Sequence, residues 1–170
     1  TFLRTSLIIR HNLMHTLPSL EDFITQSKEF DVIAVRAEFT ADAETPLSAY
    51  AKLSKNKPAF LIESVVGGEQ VSRFSFVGCN PKKIISCGQT ETIINELGNA
   101  PKTIPTPEDP LTIIEEELNG LNYLGFDDET RFSGGAVGYI SYEYANRIEP
   151  TVPIHEEDDL DLPILYFMIA

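Results

Sequence analysis

The sequence of 170 residues contains no Trp, only two Cys and only three His. Two cysteines, Cys79 and Cys87, are too few for a disulfide framework, so we expect a reducing compartment such as the cytoplasm. His11 and His15 are four residues apart, but the Glu that follows the first His in zinc proteases is absent. No apolar run approaches the roughly 20 residues that a membrane-spanning helix needs.

Basic residues are also scarce, because 13 Lys and Arg face 26 Asp and Glu and give a net charge of −13. Binding to nucleic acid requires clustered Lys and Arg that neutralise phosphates, and binding to an anionic membrane surface requires a basic patch. The charge therefore argues against nucleic acid and membrane as partners, and it favours solubility. It says little about the fold.

Hydrophobic residues nevertheless make up 42% of the chain, with ten Phe and six Tyr, which is enough to bury a core. The length fits one domain or one large piece of a longer protein. The first residue is Thr and the last nine residues, 162–170, are apolar. We therefore expect residues 1–170 to be a single region of a longer protein, interrupted in or just after a strand.

Three helix starts are predicted by their caps: Ser19, Thr45-Pro46 and Asp109-Pro110, the last opening a helix that ends near Gly120. The first helix should reach residue 30. Strand patterns cover seven segments: 31–40, 58–66, 71–81, 82–88, 91–97, 133–141 and 162–170. The proline-rich segment 98–110 is expected to be a surface loop. This mixed order predicts an α+β fold with mostly antiparallel sheets.

The hairpin formed by residues 61–78 is the most informative segment, because Gly67-Gly68 marks a turn between two strands. A four-residue loop would pair Ser64 with Arg73 and would place Ser75 diagonally beside Ser64, on the same face. A three-residue loop would place the two serines on opposite faces, so this prediction depends on the type of turn.

Two hydroxyls and a guanidinium on an apolar face suit a small zwitterion. Arg73 and the hydroxyls of Ser64 and Ser75 would bind a carboxylate, whereas Glu63 or strand carbonyls would bind an ammonium group. The alternative is purely structural: the serines bond neighbouring backbone and Arg73 forms an ion pair. The residues alone leave both interpretations open.

Five sequence segments together resemble one known family. LIES (61–64), ten further residues and Ser75 are similar to the L-L-E-S-x10-S feedback element of the anthranilate synthase component I (large subunit) family. Three companions agree with that family: TPLSAY (45–50), RFSFVGCNP (73–81) and GGAVGYISYEYA (134–145). The final DLPILYFMIA is similar to the strand that ends the family's N-terminal region. The resemblance covers about residues 31–170.

This resemblance implies the N-terminal part of a larger two-sheet α/β sandwich. The parent would be a chorismate-utilising lyase that opens tryptophan biosynthesis, forming anthranilate and pyruvate. It would use Mg²⁺ and ammonia from a glutamine amidotransferase subunit (component II), and tryptophan would inhibit it allosterically. In the family, the chorismate and Mg²⁺ ligands lie in the C-terminal chorismate-binding region. We therefore expect no catalytic or metal-binding residue in this chain, which alone should be inactive.

The effector element is carried over residue by residue onto Leu61, Glu63, Ser64 and Ser75. Arg73 is added on the physical grounds given above. Two rival functions remain: the large subunit of aminodeoxychorismate (p-aminobenzoate) synthase, which shares a similar segment, and a free-standing amino-acid-binding domain without enzymatic activity. Because both halves of the family's fold contribute strands, this chain alone should also expose apolar sheet faces and self-associate.

Three further features have simpler explanations. Gly134, Gly135 and Gly138 match neither a dinucleotide-binding fingerprint nor a P-loop, so tight strand packing accounts for them better. The acidic segment 155–161 lacks the spaced ligand pattern of a calcium loop and is expected to be a solvated surface loop. Cys79 and Cys87 are expected to occupy small core positions.

Overall fold

A computed structural model of the chain describes residues 16–55, 57–63, 74–125, 132–153 and 160–170. These ranges contain four helices: α1 (Leu20–Gln26), α2 (Pro46–Ser54), α3 (Leu111–Asn119) and α4 (Ala145–Ile148), the last preceded by a 3-10 turn over Tyr142–Tyr144. They also contain eleven strands: β1 (Thr16–Leu17), β2 (Val32–Ile33), β3 (Arg36–Ala37), β4 (Ala59–Glu63), β5 (Ser75–Cys79), β6 (Lys83–Cys87), β7 (Glu91–Glu96), β8 (Lys102–Pro105), β9 (Tyr123–Leu124), β10 (Ala136–Ile140) and β11 (Leu165–Ile169). The predicted α+β class with mostly antiparallel sheets is confirmed.

The largest sheet has five antiparallel strands in the order β10-β11-β6-β7-β8. Side chains alternate between the two faces of each strand. The inner face is defined by its buried side chains: Ile85, Cys87, Leu165 and Ile169. These pack with Ile113 and Ile114 of α3 and with Tyr144 and Ile164. The core of the described chain therefore lies between this sheet and α3.

The opposite face of the same sheet is defined here as the outer face. It carries Ile84, Ile93, Val137, Tyr139, Tyr166 and Met168. The rings of Tyr139 and Tyr166 stack with their centroids 5.8 Å apart. Ile93 is 43% exposed and Tyr139 37% exposed. Apolar side chains thus reach solvent on this face, while Met168 is buried.

Helices begin at all three predicted places, although Pro110 rather than Asp109 is the N-cap residue of α3. Ser19 Oγ accepts a hydrogen bond from the Asp22 backbone N–H at 3.1 Å. Thr45 and Ser48 form a capping box in which each side chain accepts from the other residue's backbone N–H. Asp109 Oδ1 accepts from the Leu111 N–H at 3.0 Å. Each bond satisfies a backbone donor that the helix itself leaves unpaired.

Three of the predicted element boundaries were wrong. The proline-rich segment contains β8, which pairs with β7 at the edge of the sheet. An edge strand tolerates Pro105, which lacks a backbone N–H, because the outer side of such a strand has no neighbouring strand to bond. The long strand expected over 31–40 is two short strands, β2 and β3, and α1 ends at Gln26.

The glycine-rich strand β10 approaches its neighbour closely, as predicted. A Cβ at Gly138 would lie 1.8 Å from the Tyr166 carbonyl oxygen, so no larger residue fits without movement. Gly134 and Gly135 have φ values of +142° and +129°, a region that L side chains rarely adopt. Backbone packing and conformation therefore account for these glycines.

Three pairs of strands lie outside the large sheet. β1 pairs with β3 antiparallel, β2 pairs with β9 parallel, and β4 pairs with β5 antiparallel. Asn122 fixes the start of the parallel pair, because its backbone N–H donates to Asp31 Oδ2 at 3.0 Å and its side-chain amide donates to the Glu29 carbonyl at 2.9 Å. No helix within the described ranges is long and apolar enough to cross a membrane.

Candidate functional site

The hairpin formed by β4 and β5 has Glu63 opposite Ser75 and Ile62 opposite Phe76. The four-residue loop considered above would instead place Ile62 opposite Ser75, so that register was wrong by one residue. A shift of one residue exchanges the two faces of a strand relative to its partner. In the observed register Phe60, Ile62 and Phe76 share one face, so the aromatic side chains of both strands lie together.

The predicted effector residues divide into two groups. Leu61, Glu63 and Ser75 share the face opposite to the phenylalanines, together with Val77. Leu61 is half-buried, whereas Glu63 and Ser75 are exposed. Ser64 and Arg73 lie outside the described residues. The structure therefore brings three of the five predicted side chains together. The register of the four-residue loop would have placed Ser75 on the face of Phe60 and Ile62, whereas it lies on the opposite face.

Glu63 and Ser75 offer complementary chemistry at adjacent positions. Directly opposite residues of an antiparallel pair have Cβ atoms about 4.5–5.5 Å apart. A carboxylate accepts hydrogen bonds from an ammonium group, and a hydroxyl donates to a carboxylate. Both side chains are exposed, so both groups lie at the surface of the hairpin.

A pocket that the sequence did not predict lies on the other face of the hairpin. It is lined by Phe60, Ile62, Phe76 and Phe132 and has a volume of about 280 Å³. The Phe132 ring meets Phe76 and Phe60 edge to face, at centroid distances of 5.7 and 6.4 Å. Phe132 is distant in sequence from both strands, and no local pattern signals its position. These rings therefore form an aromatic cluster on one face of the hairpin.

Helix α2 packs against both strands of the hairpin and supports it. The Ser48 hydroxyl donates to Glu44 Oε2 at 2.7 Å, and the Lys52 ammonium also binds the Glu44 carboxylate. The hydrogen bond from Lys52, followed by that from Ser48, lowers the pKa of Glu44. The segment TPLSAY thus forms the start of a well-capped helix that holds the hairpin in place.

The other candidate residues have structural roles or lie outside the described ranges. Cys87 is fully buried, and its burial raises the pKa of the thiol, which makes it unreactive. Cys79 is a half-buried free thiol on β5. The core position predicted for Cys87 is confirmed. His11, His15 and His155 fall outside the described residues, and the described ranges contain no group of three potential metal ligands.

Comparison with known proteins gives consistent matches along most of the chain. It is 34% identical over 155 residues to anthranilate synthase component 1 of Acetivibrio thermocellus, covering 90% of this chain and 30% of that protein. It is 36% identical over 156 residues to the protein of the same name from Mycobacterium tuberculosis, covering 89% and 30%. For Synechocystis the identity is 33% over 147 residues, covering 86% and 28%. No family model matches the chain.

The chain spans about three tenths of the length of the curated relatives that it matches.

Proposed function

This chain belongs to the anthranilate synthase component 1 family, and we propose that it forms the N-terminal regulatory region of such a large subunit. In this proposal the chain carries part of the tryptophan feedback site and no catalytic residue. The chorismate-binding region is a separate, C-terminal part of the same polypeptide. The parent protein works in the cytoplasm with a glutamine amidotransferase subunit, component II.

The reaction proposed for the parent protein is the amination of chorismate. Chorismate and ammonia give anthranilate, pyruvate and water, with the enolpyruvyl group leaving as pyruvate. Component II supplies the ammonia from glutamine. The ligands for Mg²⁺ and chorismate belong to the C-terminal region, so this chain contributes to the reaction only through regulation.

The observation that supports the regulatory proposal is the shared face of Leu61, Glu63 and Ser75. The ammonium group of tryptophan would bind the Glu63 carboxylate, and its carboxylate would accept from the Ser75 hydroxyl. The indole would contact half-buried Leu61 and the part of the pocket that the C-terminal region supplies. Since an effector acts only through different affinities for two states, tryptophan would bind more tightly to the inactive arrangement.

Two other functions compete with this one. The large subunit of aminodeoxychorismate synthase would use the same substrate, but the relatives named above are all called anthranilate synthase component 1. A free-standing amino-acid-binding domain would need a complete pocket. The relatives are more than three times as long as the matched segment, which favours a longer parent.

Product analysis of the parent enzyme tests the proposed function. The full-length protein is mixed with component II, chorismate, glutamine and Mg²⁺, and the products are separated by chromatography. We expect anthranilate and pyruvate in equal amounts, and none when the 170-residue chain replaces the full-length protein. Formation of aminodeoxychorismate without anthranilate would establish the first rival, and a gene that encodes no further region would establish the second.

A further inference from the structure

A cavity of about 310 Å³ lies where the large sheet meets α3 and the strand pair β2–β9. Its apolar lining includes Leu118, Leu121, Tyr123 and Ile169, and two charged residues, Lys82 and Glu117, also line it. Small-molecule sites have volumes of roughly 300–1,000 Å³ and combine apolar walls with a few polar groups. The cavity therefore has the size and the composition of a site for a small ligand.

The apolar wall of this cavity remains open to solvent. Leu118 is 44% exposed, Leu121 is 36% exposed and Tyr123 is 41% exposed. Apolar surface gains free energy when another apolar group removes it from water. Three partly exposed apolar side chains around one concave space therefore favour a ligand with an apolar body.

Tyr123 provides a flat and well-positioned part of that wall. Its hydroxyl donates a hydrogen bond to the Ser133 carbonyl. Its backbone belongs to β9, which pairs with β2. These contacts hold the ring in one orientation, and a second aromatic ring packs well on such a surface, either offset or edge to face. An aryl group is therefore the apolar body that suits the wall best.

The two charged residues of the lining differ in their partners. The Glu117 carboxylate forms an ion pair with Lys83. Lys82 is exposed, and its backbone is fixed because its N–H donates to the Ile169 carbonyl and its carbonyl accepts from the Leu97 N–H, each at 2.9 Å. Its ammonium group, on a flexible stem, can donate three hydrogen bonds. The cavity therefore presents a positive charge to a ligand, since its negative charge is already balanced.

We propose that this cavity binds a small aromatic monocarboxylate. The aryl group would pack against Tyr123, Leu118 and Leu121, and the carboxylate would accept hydrogen bonds from the Lys82 ammonium group. The residues of the proposed effector face on β4 and β5 do not line this cavity. The proposal is thus independent of the tryptophan site.

Calorimetric titration of the full-length parent protein tests the proposal with three probes. 3-Phenylpropanoate carries the ring and the carboxylate, 3-phenylpropanamide lacks the charge, and propanoate lacks the ring. We expect saturable binding of 3-phenylpropanoate. The amide should bind at least about threefold more weakly, and propanoate at least about tenfold more weakly. Absence of saturable 3-phenylpropanoate binding, or equal binding of either analogue, would overturn the proposal.

Variants locate the binding site. Lys82→Gln and Leu118→Gln should each weaken 3-phenylpropanoate binding at least about threefold, whereas Lys82→Arg, which keeps the charge, should retain it. Lys102→Gln is the matched control, because it removes an exposed lysine from β8 at the far edge of the same sheet, and it should leave binding unchanged. Unchanged thermal unfolding would show that the variants are folded. Wild-type affinity in folded Lys82→Gln would contradict the assignment.

Discussion

Glu63 lies directly opposite Ser75 in the antiparallel pair of β4 and β5. Both side chains are exposed and lie on the face away from Phe60, Ile62 and Phe76. This relationship places a carboxylate beside a hydroxyl on the surface where the resemblance puts an effector site. It also fixes the register of the hairpin, on which the Ser75 stability test and the tryptophan-inhibition test below depend.

The register itself can be tested by changing Ser75. Opposite charges on directly facing residues of two strands stabilise the sheet by about 0.2–1 kcal/mol, and like charges in that position destabilise it. Ser75→Lys should therefore be more stable than Ser75→Ala, and Ser75→Glu should be less stable. Chemical denaturation measures the free energies of unfolding. If the Lys and Glu variants had equal stability, Glu63 would not face position 75.

The ion pair between Lys83 on β6 and Glu117 on α3 joins the large sheet to its covering helix. Lys83 is only 13% exposed, so removing its partner leaves a poorly hydrated charge. Glu117→Gln should lower the free energy of unfolding by about 1–3 kcal/mol. Glu116→Gln on the exposed side of the same helix is the matched control and should change it by less than about 0.5 kcal/mol. Similar losses in both variants would show that the pair contributes nothing specific.

The Tyr144 hydroxyl donates to Asp109 Oδ1 at 2.9 Å and links the 3-10 turn to the start of α3. Burial, and then this hydrogen bond to Asp109, raise the pKa of Tyr144. Because the folded-state pKa is raised, this stabilisation is complete below the unfolded pKa of about 10 and is lost as the pH rises through the folded value. Tyr144→Phe should lower the free energy of unfolding by about 1–3 kcal/mol at neutral pH.

The pH dependence distinguishes Tyr144 from its exposed neighbour. The difference in unfolding free energy between wild type and Tyr144→Phe should decrease above pH ~10. Tyr142→Phe is the matched control, because Tyr142 is 82% exposed. If the difference in unfolding free energy between wild type and Tyr144→Phe stayed constant across this pH range, the role of the hydroxyl would be contradicted.

The outer face of the large sheet predicts self-association of the 170-residue chain. Exposed apolar side chains on a sheet face favour burial against another surface. Sedimentation velocity at increasing concentration should show dimers or larger species, and Ile93→Glu or Tyr139→Glu should shift the distribution toward monomer. Leu97→Glu, in an exposed turn, should not. A wild-type chain that remains monomeric at high concentration would contradict this prediction.

Local signals were sufficient to predict part of the fold. The caps at Ser19 and Thr45 depend on hydrogen bonds within four residues, and both are found. Asp109 also accepts from a nearby backbone N–H, that of Leu111, although the N-cap residue of α3 is Pro110. The positions of β6, β7, β10 and β11 also follow from short sequence patterns. Such features depend on neighbouring residues alone, so a single sequence is enough to identify them.

Features that depend on distant residues could not be predicted. The register of the hairpin is coupled to Phe132, which packs on Phe60 and Phe76 from a segment more than fifty residues away. β8 was missed because prolines normally indicate loops, and only its place at a sheet edge makes Pro105 acceptable. The buried, unpaired Oε1 atom of Gln26 likewise depends on the packing of α1 near β2 and β9, so the sequence alone does not predict it.

The most direct test of the central claim is tryptophan inhibition of the full-length parent enzyme. Anthranilate formation is measured at increasing tryptophan concentration for wild type, Ser75→Phe and the control Ile62→Phe, which alters the opposite face of the hairpin. We predict that Ser75→Phe raises the half-inhibitory concentration at least about tenfold while turnover without tryptophan stays near wild type, and that Ile62→Phe remains sensitive. A Ser75→Phe enzyme with full tryptophan sensitivity would contradict the assignment of the effector site to this face.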